Sequence, residues 1–398
     1  MPSVATTPRA RIQLVDALRG AALAGICLLH AIGHWSFASY PAAQPGWQAT
    51  LDARTRQLGL LLLEGKAYAV FALLFGMSFF LILDHWSSRG IRPTGRFAWR
   101  LALLGVIGYV HGIVFRGDFL LPIAVVGLPL VLIHRLRNRA LVWLAVVLLL
   151  QVPMVWEAVR AIRDPGSAPS AAQAVAEEQH ITDLCAHGSF GEVSAFNAGR
   201  GQAARLSWLL ESGRFTQMLG LFLCGLLVGR SRRLEQPERC AGPARRAVLS
   251  GALAFAALYL AQHRLAAWGL SGPGLDRTYN LLMAYRNLAQ VVVYVGGFVL
   301  LYNLARARRA LDVLAPYGRM SLTGYVTQGL VGVPLFYGYG LALHDRLGPF
   351  ASAGLGVALV AVQCAGAHLW LRRFNYGPLE WLWRCGTFLD FRNPLRKG

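Results

Sequence analysis

The sequence predicts an all-α membrane protein, a polytopic bundle of about ten transmembrane helices with both termini in the cytoplasm. Three observations predict it. Hydrophobic residues make up 55% of the 398 positions and charged residues only 15%, where a soluble domain carries about 25% charged residues. Apolar runs long enough to cross a bilayer recur along the whole chain. The arginines between those runs alternate from one side to the other.

A span needs about 20 apolar residues, and the chain supplies runs at 14–37, 57–83, 98–115, 119–134, 139–158, 215–229, 247–268, 283–304, 320–342 and 350–371. The third, fourth and sixth are short. Arg9, Arg11 and Arg19 precede the first run; Arg89, Arg92, Arg96 and Arg100 follow the second; Arg135, Arg137 and Arg139 follow the fourth. The alternation continues with Arg230, Arg232, Arg233, Arg239, Arg245 and Arg246 after the sixth, Arg306, Arg308 and Arg309 after the eighth, and Arg372, Arg373, Arg384, Arg392 and Arg396 after the tenth. Positive charge stays in the cytoplasm, so these loops are expected inside.

The net charge of +20 is therefore topological, and because only Lys66 and Lys397 are lysines it is almost all arginine. No basic stripe interleaved with aromatics occurs in a soluble segment, which argues against nucleic acid as a partner. An arginine-rich inner face suits anionic lipid or a phosphorylated cosubstrate. The six cysteines, at 27, 185, 224, 240, 364 and 385, include no C-x-x-C pair and suggest neither a disulfide framework nor a zinc site. No metal is expected. The N-terminal apolar stretch lacks the small-residue exit of a cleavable signal and reads as a retained span.

The chain reads as a single transmembrane domain, 1–398, in which 159–214 forms an outside-facing cap made of a helix over 169–186 and an irregular return. That segment carries Glu177, Glu178, His180, Asp183, His187 and Glu192. No fixed repeat period is visible, so the duplicated halves of many transporters are not expected.

Ionisable groups inside a span are costly, and each is a functional hypothesis by default. In LVDALRGAALAGICLLHAIGHW, Asp16 and Arg19 sit three apart at the inner start of the helix, as a local ion pair would. His30 and His34 lie four apart near its outer end, with no third metal ligand nearby in sequence; they serve a cavity as base or hydrogen-bonder, or face headgroups. Glu64 and Lys66 fall inside the second run, where an ammonium either holds a carboxylate or developing negative charge or snorkels to the surface.

In GYVHGIVFRGDFLLP, His111 and Asp118 come from helices joined by a tight hairpin and can meet across it, a carboxylate orienting an imidazole as a general base requires. Arg116 with Asp118 as a structural turn is the alternative. The ninth run opens at Gly318 and Arg319 and carries Ser321, Thr323, Tyr325, Thr327, Gln328, Tyr337 and Tyr339, a polarity that faces a cavity or packs on other helices. Pro378, Glu380, Trp381 and Trp383 mark an amphipathic anchor on the inner surface. The four residues His30, His34, His111 and Asp118 are expected in one outer cavity.

Taken together, VDALRG, GK followed by LFG, the arginine-led helix with H then GD, GRMSLTGY, FYGYG and GPLEWLWR resemble the YeiB-like family of bacterial membrane proteins over nearly the whole chain. The resemblance implies membership of the wider transmembrane acyltransferase superfamily, with the lysosomal heparan-alpha-glucosaminide N-acetyltransferase and the acyltransferase-three enzymes. It implies an inner-membrane location and transfer of an acyl group, acetyl in the first instance, from cytosolic acetyl-CoA or another acyl-CoA to a hydroxyl or amine of a glycan or small metabolite. Asp16, Arg19 and Gly20 match the common opening of the first span. His30 falls where acyltransferase-three enzymes keep a histidine and YeiB-like proteins more often have asparagine. At the spacing of the lysosomal enzyme's histidine this chain has Pro41.

The resulting expectation puts His30 first, or His111 oriented by Asp118, as general base; Lys66 or Arg116 at the oxyanion; His34, Arg319 and Gln328 on the substrate; and Asp16 and Arg19 with inner arginines at the acyl-CoA. Membrane lipids, and optionally a second copy of the chain in a homodimer, are the expected partners. A transporter using the same buried charges as a path is the rival, and a scaffold without turnover a third reading.

Overall fold

The computed structural model describes residues 12–37, 39–41, 45–91, 93–167, 171–392 and 394–397. Arg9, Arg11 and Arg92 of the arginine pattern lie outside them. Among the described residues the chain is helical throughout, its only β pairing an isolated bridge between Phe374 and Arg396.

The first half holds α1 (Gln13–Ile32), α2 (Gly46–Leu62), α3 (Ala67–Ser87), α4 (Pro93–Val114), α5 (Leu120–Ile133), α6 (Asn138–Leu149) and α7 (Val152–Arg163). A peripheral set follows: α8 (Ala171–His187), α9 (Phe190–Phe196) and α10 (Gln202–Glu211). The second half holds α11 (Arg214–Ser231), α12 (Ala241–Arg264), α13 (Gly272–Tyr302), α14 (Ala305–Asp312), α15 (Ala315–Arg319), α16 (Ser321–Phe336), α17 (Pro349–Arg373) and α18 (Pro378–Phe388).

Among the described residues seven helical stretches are long and apolar enough to cross a membrane, and the pair 190–211 and 214–231, bent by 69°, would make an eighth. The expected runs are helical, yet some fall short of a span. At 1.5 Å per residue, the 14 residues of α5 reach only about 21 Å of a hydrocarbon core about 30 Å thick. The first run ends at Ile32 rather than continuing to 37.

The second run contains a break that hydropathy does not show. Gly65 has φ +75°, which turns the chain between α2 and α3. The last carbonyls of α2 are taken by side chains: Lys66 Nζ donates to Leu60 O at 3.0 Å, Gln290 Nε2 to Leu61 O at 3.1 Å and Tyr294 Oη to Leu62 O at 2.8 Å. In an apolar medium these groups have no water to turn to.

The core sits where α1, α3, α4, α5 and α11 pack. The α3–α11 crossing is close because Gly76 faces the Phe222 backbone and Gly225 faces that of Leu73, where any Cβ would collide. α8, at Ala171–His187, covers the described part of the helix expected over 169–186, with Glu177, Glu178, His180, Asp183 and His187 exposed and Ile181 and Cys185 buried. The return that sequence reading left irregular is helical. It starts with a capping box, in which Ser189 N–H donates to Glu192 at 2.8 Å and Glu192 N–H to Ser189 Oγ at 3.3 Å, and passes through a π segment, Asn197–Gly201, into α10.

The helix over 378–388 is more than an anchor. α16 has no local cap, and Glu380 of α18 supplies one, accepting from Leu322 N at 2.7 Å, Thr323 N at 3.0 Å and Thr323 Oγ1 at 2.6 Å.

Candidate functional site

The tight turn between α4 and α5 carries a buried polar pair, His111 and Asp118. Asp118 opens α5 by accepting the backbone N–H of Leu120 at 3.0 Å and of Leu121 at 3.2 Å on Oδ2. Its Oδ1 lies 2.7 Å from His111 Nδ1, with both side chains buried. An ionised carboxylate only accepts, so Nδ1 carries the proton and Nε2 is left as a base. His111 Nε2 is buried and makes no hydrogen bond among the described residues.

The turn is gripped from outside by the cap. Asn197 donates to Ile113 O at 3.0 Å, Gln202 to Tyr109 O at 3.1 Å, and Arg205 Nε to Arg116 O at 3.1 Å. The first of these satisfies a carbonyl that the end of α4 leaves open, and the last takes one in the turn itself. Arg205 also stays within electrostatic range of Asp118.

His30, on the last turn of α1, shares its neighbours with His111. Its ring meets Phe115 at 4.9 Å and Tyr325 at 6.2 Å, while the His111 ring meets the same two at 5.7 and 5.5 Å. His30 Nδ1 is buried without a hydrogen-bond partner. The rest of the ring lines a cavity of about 200 Å³, with Glu64, Tyr68, Arg214 and Tyr325 as the other polar walls. His111 and Asp118 lie behind that wall.

A larger cavity of about 610 Å³ opens at the other end of the bundle. Asp16, Arg19, His85, Arg89, Arg100, Glu235, Arg319, Glu380 and Arg384 line it, so arginines from elements far apart in sequence converge on one end. Asp16 and Arg19 form the expected ion pair at 3.0 Å, and Arg19 also donates to Ser78 at 2.8 Å. Arg100 stacks on Trp383 at 3.5 Å. The Nε atoms of Arg100 and Arg384 are buried without hydrogen-bond partners among the described residues. Phe71, Leu120 and Ile123 belong to the walls of both cavities, which therefore meet across three apolar side chains.

The other expected site residues lie elsewhere, so the four-residue outer cavity does not form. α1 stops at Ile32, and His34, Trp35 and Ser36 follow with φ of +47°, +54° and +68°, a left-handed turn that carries His34 away from His30. Such a turn costs of order 1–3 kcal/mol per residue and persists only where neighbours over-determine it. His34 is one of those braces, donating from Nδ1 to Ser39 O at 2.7 Å and accepting from Ser352 Oγ at 2.9 Å. Trp35 N–H donates to His30 O at 2.7 Å and Tyr337 Oη to Trp35 O at 3.1 Å.

Lys66 caps α2 and Arg116 pairs with Glu178 at 3.1 Å on the surface, and neither lines a cavity. Gln328 is fully buried, donating to Tyr317 Oη at 2.6 Å and Leu23 O at 3.3 Å. Arg319 does line the inner cavity. Sequence reading missed Arg214 and Arg205, whose only signal was their place in a loop of mixed charge. It placed Arg89, Arg100 and Arg384 on the arginine-rich inner face expected to suit phosphates, without singling them out.

Comparison with known proteins adds the lineage. A family profile described as "Protein of unknown function (DUF418)" matches residues 228–390. The chain is 26% identical over 414 positions to "Uncharacterized protein YxaH" of Bacillus subtilis (strain 168), covering 98% of each. It is 25% identical over 388 positions to "Uncharacterized 39.9 kDa protein in amylase 3'region" of Bacillus acidopullulyticus, covering 95% of this chain and 94% of that one. With "Uncharacterized protein YeiB" of Escherichia coli (strain K12) it shares 30% identity over 405 positions, 93% of this chain and 94% of its relative. With that identity across nearly both full lengths, the chain belongs to the YeiB-like family.

Proposed function

We propose that this protein is an acyl-CoA-dependent transmembrane acyltransferase of the bacterial inner membrane, with about ten spans and both termini in the cytoplasm. The observation that carries the reading is the abutment of two unlike cavities at Phe71, Leu120 and Ile123. One is rich in guanidinium groups that include unpartnered Nε atoms, and the other holds the partly open ring of His30. A cosubstrate with phosphates at one end and a thioester on a long, weakly polar arm matches that sequence of environments. Phosphates would sit near Arg19, Arg89, Arg100, Arg319 and Arg384.

In the reaction an acceptor hydroxyl or amine attacks the thioester carbonyl carbon while His30 takes its proton. The new C–O or C–N bond forms, the C–S bond breaks, and the departing CoA thiolate takes the proton back from the His30 imidazolium. Arg214, on the wall beside His30, takes over the oxyanion role expected of Lys66 or Arg116. His111 and Asp118 form a fixed dipole behind His30, within electrostatic range of its ring.

The abutting cavities also favour a second reading, a transporter whose path is closed at Phe71, Leu120 and Ile123. Purified full-length protein with acyl-CoA decides between them. Release of CoA thiol with acyl transfer supports the enzyme; counterflow in liposomes without thioester cleavage supports the transporter.

A further inference from the structure

The volume and wall chemistry of the outer cavity bear on which acyl group reaches His30. At about 200 Å³ the cavity is larger than a single acetyl methyl fills. An apolar cavity of roughly 150 Å³ accommodates benzene, a ring of six carbons. Most of the wall is hydrocarbon, from Ile26, Leu29, Phe71, Phe119, Leu120 and Ile123, and the polar groups His30, Glu64, Tyr68, Arg214 and Tyr325 share the remainder with Trp208 and others. A thioester arriving through the apolar junction therefore brings its acyl chain into a space that rewards further methylenes.

We propose that the acyl group transferred is a short hydrocarbon chain of about four to six carbons, with Ile26 and Phe119, which line this cavity and not the larger one, setting its length. The proposal rests on the acyl-transfer reading and replaces acetyl as the expected group. The reaction is otherwise unchanged: the C–S bond of the thioester breaks, the acceptor's oxygen or nitrogen bonds to the acyl carbon, and the proton moves through His30 to the leaving thiolate. Burial of each added methylene should tighten binding by about fourfold, until the chain outgrows the cavity.

The test uses full-length protein in detergent with CoA, acetyl-, butyryl-, hexanoyl-, octanoyl- and palmitoyl-CoA. Thermal stabilisation reads binding, and CoA thiol release reads cleavage with water or hydroxylamine as probe acceptor. The expected result is apparent affinity rising by about two orders of magnitude from acetyl to hexanoyl, four methylenes at about fourfold each, and falling by palmitoyl. Ile26→Phe should lower the hexanoyl-to-acetyl ratio at least about fivefold, and Phe119→Ala should move the optimum to a longer chain. If CoA and every ester stabilise equally, or acetyl is preferred, the chain-length proposal is overturned while the CoA reading stands. Preference for palmitoyl also overturns it, pointing to a cavity filled from the bilayer. If no CoA species stabilises the protein or is cleaved, both readings fall.

Discussion

His111 Nδ1 and Asp118 Oδ1 lie 2.7 Å apart across the α4–α5 turn, and the same carboxylate closes the first turn of α5 through its other oxygen. One side chain thus fixes both an imidazole tautomer and a helix start. Asp118→Asn keeps an oxygen for the helix but presents an N–H to His111, which reverses the tautomer. We expect His111→Ala and Asp118→Asn each to lower acyl-CoA turnover about tenfold or more, and the double variant to be little worse than the more damaging single. Additive losses, measured as kcat on folded protein, would show that the two act independently.

Gly329 offers a way to disturb that pair without touching it. A Cβ at this position would collide with the Nε2 side of His111, whose ring is tied to Asp118. Gly329→Ala should reduce turnover by roughly the same factor as His111→Ala while leaving thermal stabilisation by CoA intact. Unchanged kcat in Gly329→Ala would argue that the position of the His111 ring does not matter.

Lys66 is assigned a structural task. Removing its ammonium in Lys66→Met leaves Leu60 O without its donor in a medium that offers no replacement. The expected cost is about 1–3 kcal/mol of stability, seen as a lowered melting temperature in detergent, with KM and kcat of the surviving protein within about threefold of the parent. A selective collapse of kcat at normal stability would return Lys66 to the chemistry.

The sequence made some of this legible and hid the rest for identifiable reasons. The hairpin spacing of His111 and Asp118 implied their contact, because seven residues around a tight turn leave few other arrangements. The pairing of His30 with His34 assumed that α1 continues past residue 34, but a left-handed turn at 34–36 redirects the second ring. Lys66 is buried, as its place in an apolar run implied, but its task at the end of α2 was hidden because hydropathy does not register a helix break inside such a run. Arg100 and Arg384 were legible as part of an arginine-rich face suited to phosphates, but their convergence on one cavity depends on how α4 and α18 pack.

Orientation has its own test. The arginines around the inner cavity come from the N-terminal helix, the α3–α4 region and α18, which places these segments at one end of the bundle. Reporter fusions at Arg233 and after Lys397 should read cytoplasmic and one at Gln173 external, by the distribution of positive charge. A cytoplasmic signal at Gln173 would reverse the assignment of the two cavities.

The central claim is that the ring of His30 in the outer cavity receives the acceptor's proton while the arginine cavity holds CoA. The most direct measurement is acyl transfer and CoA binding in His30→Ala on the same preparation. The account predicts transfer reduced by about 10²-fold or more, the usual contribution of a general base, with thermal stabilisation by CoA within about twofold of the parent. Full transfer activity in His30→Ala would contradict it.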